Sequence, residues 1–177
     1  MKKVLVIIDM QNDFIRGSLG SEQAIKIIPN IIEMIEEYKK NKHEIICTMD
    51  THDDKYLETQ EGKNLPIVHC KKNTNGWQLD KEILNSLPDT YKVFTKTNFL
   101  SIELGEYLKR VNNDGNIVEI EIVGLVTSIC VIANALMIKG FLPEVKISVS
   151  LNGTASIGKE DYDAALLVMK MCQITIK

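Results

Sequence analysis

The chain has 177 residues, 45% of them hydrophobic and 25% charged, with a formal net charge of −3 at pH 7. That length supports a sizeable core and the composition is ordinary for a globular protein, so a single domain over residues 1–177 is expected. Isolated lysine pairs such as Lys71–Lys72 make no basic patch for nucleic acid, and no stretch approaches the ~18 apolar residues of a membrane span.

KKVLVIID, residues 2–9, is an apolar run ending in a carboxylate and predicts a strand buried on both faces. It is too short for a signal-peptide core and lacks a small-residue cleavage pattern. MQNDFIRGSLG, 10–20, reads as a polar loop. From Glu22 to Lys40, Ile28, Ile31, Ile32, Ile35 and Tyr38 recur at helical spacing. EIICTM, 44–49, predicts a second strand, followed by Asp50. Residues 51–79 read as irregular, yet they carry two of the three histidines and the only tryptophan. A connection that long is uncommon without a function.

YKVFTK, 91–96, predicts the next strand. Leu104, Tyr107, Leu108 and Val111 mark a helix capped by Ser101, and a turn is expected at 113–115. NIVEIEIVGL, 116–125, predicts a strand. Ile129, Ile132, Ala133 and Leu136 then mark a helix with Cys130 in its first turn. EVKISVS, 144–150, predicts a strand and LNGTASIG, 151–158, a loop. Tyr162, Ala165, Leu166 and Met169 give a last helix, and CQITI, 172–176, a closing strand. This alternation predicts an α/β fold: three layers, α-β-α, around a mostly parallel sheet of about six strands. Ligands of such sheets bind beyond the carboxyl ends of the strands. Asp9, Asp50, Lys96 and the turn of Cys130 all fall at those ends.

A cysteine in the first turn of a helix meets free N–H groups and the positive end of the dipole, which favour thiolate. Cys47, Cys70 and Cys172 read as structural thiols, and four cysteines without a CxxC pair suit a reduced, cytoplasmic protein. A nucleophile needs a proton acceptor. His43 reads as an exposed turn residue, and His52 and His69 in the long segment have a better use as metal ligands. An aspartate could take the role, and Asp9, at the end of the expected central strand, is the candidate. Its pKa would be raised by desolvation. Lys96 would supply positive charge to the sulfur and to a developing oxyanion.

Asp50-x-His52 begins at a strand end, and His69 follows seventeen residues after His52. A carboxylate and two imidazoles suit zinc, iron or manganese. Glu58 and Glu61 lie between the histidines and offer a further ligand.

Taken in order, VIIDMQNDF (6–14), TMDTH (48–52), LPIVHC (65–70), VFTKTNF (93–99) and VGLVTSICV (123–131) resemble the isochorismatase-like cysteine hydrolases, in particular their nicotinamidase branch. The resemblance implies an Asp9–Lys96–Cys130 triad and a cis peptide between Leu125 and Val126. It implies an oxyanion hole from the N–H groups of Val126 and Cys130. It also implies a metal, zinc first, with manganese and iron as alternatives, on Asp50, His52 and His69, and a fourth ligand from Glu61 or Glu58, with Glu61 favoured. Where the family carries tryptophan in WPxHC, this chain has LPIVHC, so Phe14 and Trp77 become the aromatic candidates for the substrate wall. The reaction implied is hydrolysis of a small carboxamide, nicotinamide first, through a thioester. Another amide or a ureido compound, and a non-catalytic binding scaffold, are the alternatives. The resemblance further implies a homo-oligomer.

Overall fold

The computed structural model describes residues 2–112 and 115–177. Its strands are β1 (Lys2–Ile8), β2 (Glu44–Asp50), β3 (Lys92–Lys96), β4 (Ile117–Leu125), β5 (Lys146–Ala155) and β6 (Thr175–Ile176). They form one six-stranded sheet in the order β3-β2-β1-β4-β5-β6. Every neighbouring pair is parallel. Succession runs from β1 outward through β2 to β3, then resumes on the other side of β1 with β4. The switch point therefore lies between β1 and β4, where a crevice opens beyond the carboxyl ends.

The helices are α1 (Asn12–Ile15), α2 (Glu22–Lys26), α3 (Ile28–Lys40), α4 (Gln60–Asn64), α5 (Lys81–Ser86), α6 (Ile102–Val111), α7 (Ile132–Phe141) and α8 (Lys159–Met171). Alternation along β1 divides the core in two. Val4, Val6 and Ile8 pack with Ile120 and Ile122 of β4 under α6, α7 and α8. Leu5 and Ile7 face the other way, onto Ile28, Ile31 and Ile35 of α3 and Ile83 of α5. Burying a side chain of this size stabilises by about 1.5–3 kcal/mol, which is why β1 reads as a continuous apolar run. Ser101 caps α6, accepting from the Leu104 amide at 3.2 Å.

Several elements differ from expectation. The helix expected over Glu22–Lys40 is two helices, because Pro29 in the first turn of α3 has no N–H and its ring cannot follow on from α2. The loop at 10–20 contains α1. The long segment 51–79 contains a 3₁₀ turn at Tyr56–Glu58 and α4, whose cap Thr59 accepts from the Gly62 amide at 3.0 Å. α5 has no counterpart among the predicted elements; Asp80 caps it, accepting from Glu82 N at 2.9 Å. The expected loop 151–158 is strand as far as Ala155. Ile122 pairs with Val149 but Gly124 with Thr154, so β5 spends extra residues in a bulge. The closing strand shrinks to Thr175–Ile176. The turn expected at 113–115 rests on residues 113 and 114, outside the described residues.

Gly124 matters most among these. Its φ is +113°, and a Cβ there would lie 2.0 Å from the Ile8 carbonyl oxygen. Only glycine lets β4 come this close to β1 just before the strands end. Among the described residues, no helix is long and apolar enough to cross a membrane.

Candidate active site

Asp9 follows the last residue of β1 with φ +49°, a left-handed turn at the rim. The Thr48 hydroxyl donates to its Oδ1 at 2.7 Å. Lys96, the last residue of β3, reaches across β2 and sets Nζ 2.7 Å from Asp9 Oδ2, 3.4 Å from Asp50 Oδ1 and 3.5 Å from Cys130 Sγ. Asp9 Oδ2 is buried and has no aligned hydrogen-bond donor, so the lysine holds it as an ion pair. Asp9, Lys96 and Cys130 are 0%, 4% and 7% exposed, so their charges act on each other with little screening by water.

Burial pushes the Asp9 carboxyl above the usual carboxylate range; Lys96 pulls it down and Asp50 pushes it further up. Burial also pushes the Cys130 thiol well above its ordinary value, with Asp9 adding to the effect and Lys96 opposing it. Burial works against the charge on Lys96, but Asp9, Cys130 and Asp50 outweigh it and hold the ammonium protonated. One buried cation thus faces two acids, each raised above its ordinary value by burial.

Cys130 sits in a π-helical turn, Thr127–Val131, that leads into α7. The Leu125–Val126 peptide before it is cis, at the bond the resemblance implied. The Val126 carbonyl accepts from the amides of Ile129 at 3.0 Å and Val131 at 3.1 Å. The Val131 bond takes the carbonyl that the Cys130 amide would use in an α-turn, a widening frequent at functional sites. Asn134 of α7 is fully buried and fixes this turn: Nδ2 donates to the carbonyls of Cys130 at 2.8 Å and Phe99 at 3.0 Å, while Oδ1 accepts from Ser101 N at 3.1 Å.

Beside the triad, one ligand atom each from Asp50, His52, Glu61 and His69 all lie within 4.8 Å of one another. His52 Nε2 is 2.9 Å and His69 Nε2 3.4 Å from Asp50 Oδ2; the same nitrogens lie 3.8 and 3.9 Å from Glu61 Oε1. Glu61, carried on α4, joins this group, whereas Glu58 is exposed and stays outside it. His69 Nδ1 is 2.8 Å from the Ile67 carbonyl, which leaves Nε2 as the free ring acceptor. Two carboxylates and two imidazoles converging on one point, three of the four residues buried, fit a divalent cation. Asp50 joins the two constellations, its Oδ1 facing Lys96 and its Oδ2 the histidines.

The long segment is stitched to the rim by MQND, to which the sequence pattern assigned no role. Gln11 Oε1 accepts from Asp50 N at 2.7 Å, while its Nε2 donates to the carbonyls of Asp50 and Trp77, both at 2.8 Å. Asp13 Oδ2 accepts from Cys70 N at 2.8 Å, next to His69. Phe14 lies 5.4 Å, ring to ring, from His69, and Trp77 donates from Nε1 to Thr51 Oγ1 at 2.8 Å. Both pack partly buried against the core under α3. The cleft over the metal-type cluster, about 590 Å³, is lined instead by His52, Glu61, Leu65, Asn98, half-exposed Phe99 and Ile129. Phe99 is the aromatic residue that sequence reasoning missed; its signal was a place three residues beyond Lys96 at a strand end. Cys47, Cys70 and Cys172 are free thiols outside the triad, and the His43 ring packs on Tyr38.

Residues 3–177 match the isochorismatase domain family. The chain is 28% identical to the nicotinamidase of Saccharomyces cerevisiae, over 76% of this chain and 80% of that protein. The pyrazinamidase of Pyrococcus horikoshii, solved in complex with zinc, superposes with a TM-score of 0.84 at 27% identity, covering 100% of this chain and 99% of the other. The nicotinamidase/pyrazinamidase of Bacillus subtilis has the same fold, with a TM-score of 0.83 at 24% identity over 99% of both chains.

Proposed function

Since the chain belongs to the isochorismatase domain family and is a nicotinamidase-related amidohydrolase, we propose that it hydrolyses nicotinamide to nicotinate and ammonia by way of a cysteine thioester. The observation that carries this reading is the placement of Lys96, 2.7 Å from Asp9, 3.5 Å from Cys130 and 3.4 Å from Asp50.

Asp9 Oδ2, buried and without an aligned donor, takes the thiol proton. The Cys130 sulfur attacks the amide carbon, and the C=O pair moves onto oxygen. The amides of Val126 and Cys130 receive that oxyanion, an arrangement the π turn supports by sparing the Cys130 N–H. Protonated Asp9 gives its proton to the amide nitrogen. The C–N bond breaks, ammonia leaves and a thioester remains. Asp9 then takes a proton from water, the hydroxyl adds to the thioester carbon, and the C–S bond breaks. The acid departs, and the proton on Asp9 returns to sulfur. Lys96 stays charged throughout, so the steps that place negative charge on sulfur or carboxylate occur beside a fixed cation.

Asp50, His52, His69 and Glu61 would hold the metal, zinc in our reading. When bound it offers a Lewis-acid position for the ring nitrogen of the substrate. Phe99 and Ile129 supply apolar wall on the cleft side, and Phe14 backs His69. We read residues 1–177 as one catalytic domain acting in the reducing cytoplasm as a homo-oligomer. Light scattering tests the assembly.

The deciding experiment measures ammonia release from a panel of small amides, with and without chelator and with added zinc, manganese or iron. Release from nicotinamide that falls on chelation is expected. Strong activity untouched by chelation would remove Asp50, His52, His69 and Glu61 from the reaction. No release from any amide would overturn the reaction itself.

A further inference from the structure

We propose that Asp161 is a positioning residue for the nucleophile, its carboxylate fixing, through Ser128, the turn that aims Cys130. The inference rests on the reading of Cys130 as nucleophile. The π turn has no side-chain cap at its start. On the α7 side Asn134 holds the Cys130 carbonyl. On the opposite side the turn is held by Ser156 of the β5–α8 connection and Asp161 in the first turn of α8. The Ser128 amide donates to Ser156 Oγ at 3.2 Å, and the Ser156 hydroxyl donates to Ser128 Oγ at 3.2 Å. The Ser128 hydroxyl in turn donates to Asp161 Oδ2 at 2.6 Å. The chain of donors therefore ends on a carboxylate, and bonds to an ionised acceptor are the shorter and stronger kind.

The surroundings suit that charge. Asp161 lies in the first turn of α8, where the helix dipole favours an anion. A Cβ at Gly158 would lie 2.6 Å from Asp161 Oδ1, so the glycine leaves the carboxylate its place. The Ser128 hydroxyl holds the Asp161 carboxyl below the usual carboxylate range, and burial opposes this only weakly. Ser128 is two residues from Cys130, so a turn that loses this anchor lets both the sulfur and its amide drift. Misplacement by about 1 Å costs on the order of 100-fold in rate.

The test uses the full chain with Asp161→Ala, Asp161→Asn, Ser128→Ala and the Ser128→Ala/Asp161→Ala pair. Two quantities are read: kcat and KM on nicotinamide, and iodoacetamide alkylation of Cys130, with exposed Cys172 as internal reference. Asp161→Ala is expected to lower kcat about 10- to 100-fold with KM changed less than about threefold. Asp161→Asn, which keeps an acceptor oxygen, should restore most of the loss. Ser128→Ala should match Asp161→Ala, and the pair should be no worse than either alone. Cys130 alkylation should shift with kcat while Cys172 stays constant. If both single variants are folded by circular dichroism and keep kcat within about twofold, or if their losses multiply in the pair, the proposal is overturned. Should Asp161→Ala not fold, Ser128→Ala, which removes a single hydroxyl, decides by the same criteria. If the parent protein releases ammonia from no amide, the proposed reaction fails, and alkylation of Cys130 alone decides this inference.

Discussion

The two ends of the sheet use the same kinds of charge to opposite effect. At the amino-terminal ends of the strands, Glu119 meets Lys177 at 2.6 Å, Lys3 at 3.1 Å and Lys146 at 3.2 Å, and accepts from the Ser148 hydroxyl at 2.9 Å. Beside it Glu44 is paired with Lys2 and the Tyr107 hydroxyl, and Glu121 accepts from Tyr38 at 2.8 Å. These cations are partly exposed and outnumber the acid they surround. Burial works against ionisation of Glu119, but its hydrogen bonds with Lys177, Lys3 and Ser148 hold its pKa down to about 2. At the carboxyl ends the ratio reverses: one buried lysine serves two aspartates and a thiol. There burial wins at Asp9, and its carboxyl is raised. A surplus of lysines makes a fastening. A single buried lysine leaves an acid and a thiol both raised above their ordinary values.

The sharpest way to break this comparison is at the reactive end. Cys130→Ala is expected to abolish ammonia release, by about 10⁴-fold or more, while the circular dichroism spectrum is kept. Next comes Lys96→Met, which removes the one cation that, among the described residues, lies between Asp9 and Cys130. Ammonia release should fall about 10²- to 10³-fold, and survival of most of the activity would show that the lysine is a bystander.

His52→Ala follows, and its effect should divide differently. Metal content falls, and KM rises about 10- to 100-fold before kcat is lost, as read by elemental analysis alongside steady-state kinetics. The pH profile sharpens the contrast without a mutation. Asp9 must be ionised to take the thiol proton, and its pKa is raised, so kcat/KM should fall on the acid side at a pH above the ordinary carboxylate range. An acid limb at or below 3.8 would contradict the raised carboxyl.

The smallest effect on activity is expected at the fastening. Glu119→Gln should leave turnover nearly unchanged but destabilise the fold by about 1–3 kcal/mol in urea at pH 7. Glu119 has a lowered folded pKa, so its contribution is present above the unfolded value of 4.5 and fades as pH falls toward about 2. Parent and variant should therefore converge in acid.

Much of this was legible in the chain. Runs such as VLVII and EIICTM are apolar throughout because helices cover both faces of the sheet, and a charged residue at the end of each run marks the rim. Asp9, Asp50 and Lys96 are visible for that reason, and Cys130 by its place at the start of the helical spacing that follows VEIEIVGL. Gln11 and Asn134 were not, since a side-chain amide leaves the same trace in sequence whether it meets water or three backbone groups. The bulge of β5 was hidden because Asn152 and Gly153 signal a turn, and pairing with β4 overrides that signal. Phe99 reads as a loop aromatic until Thr97 and Asn98 turn it into the cleft. The resemblance favoured Glu61 over Glu58, and α4, a helix too short to leave a period, is what carries Glu61 to the cluster.

The separation of acid and sulfur is set by a residue that does no chemistry. Position 124 has only a hydrogen where other residues carry carbon, directly against the peptide that precedes Asp9, and it lies two residues before Val126. Any methyl group placed there would wedge the two middle strands apart and widen the gap between Asp9 and the turn of Cys130. Attempts to retune the enzyme for other amides have the walls of the cleft to vary, but this spacer must stay as it is.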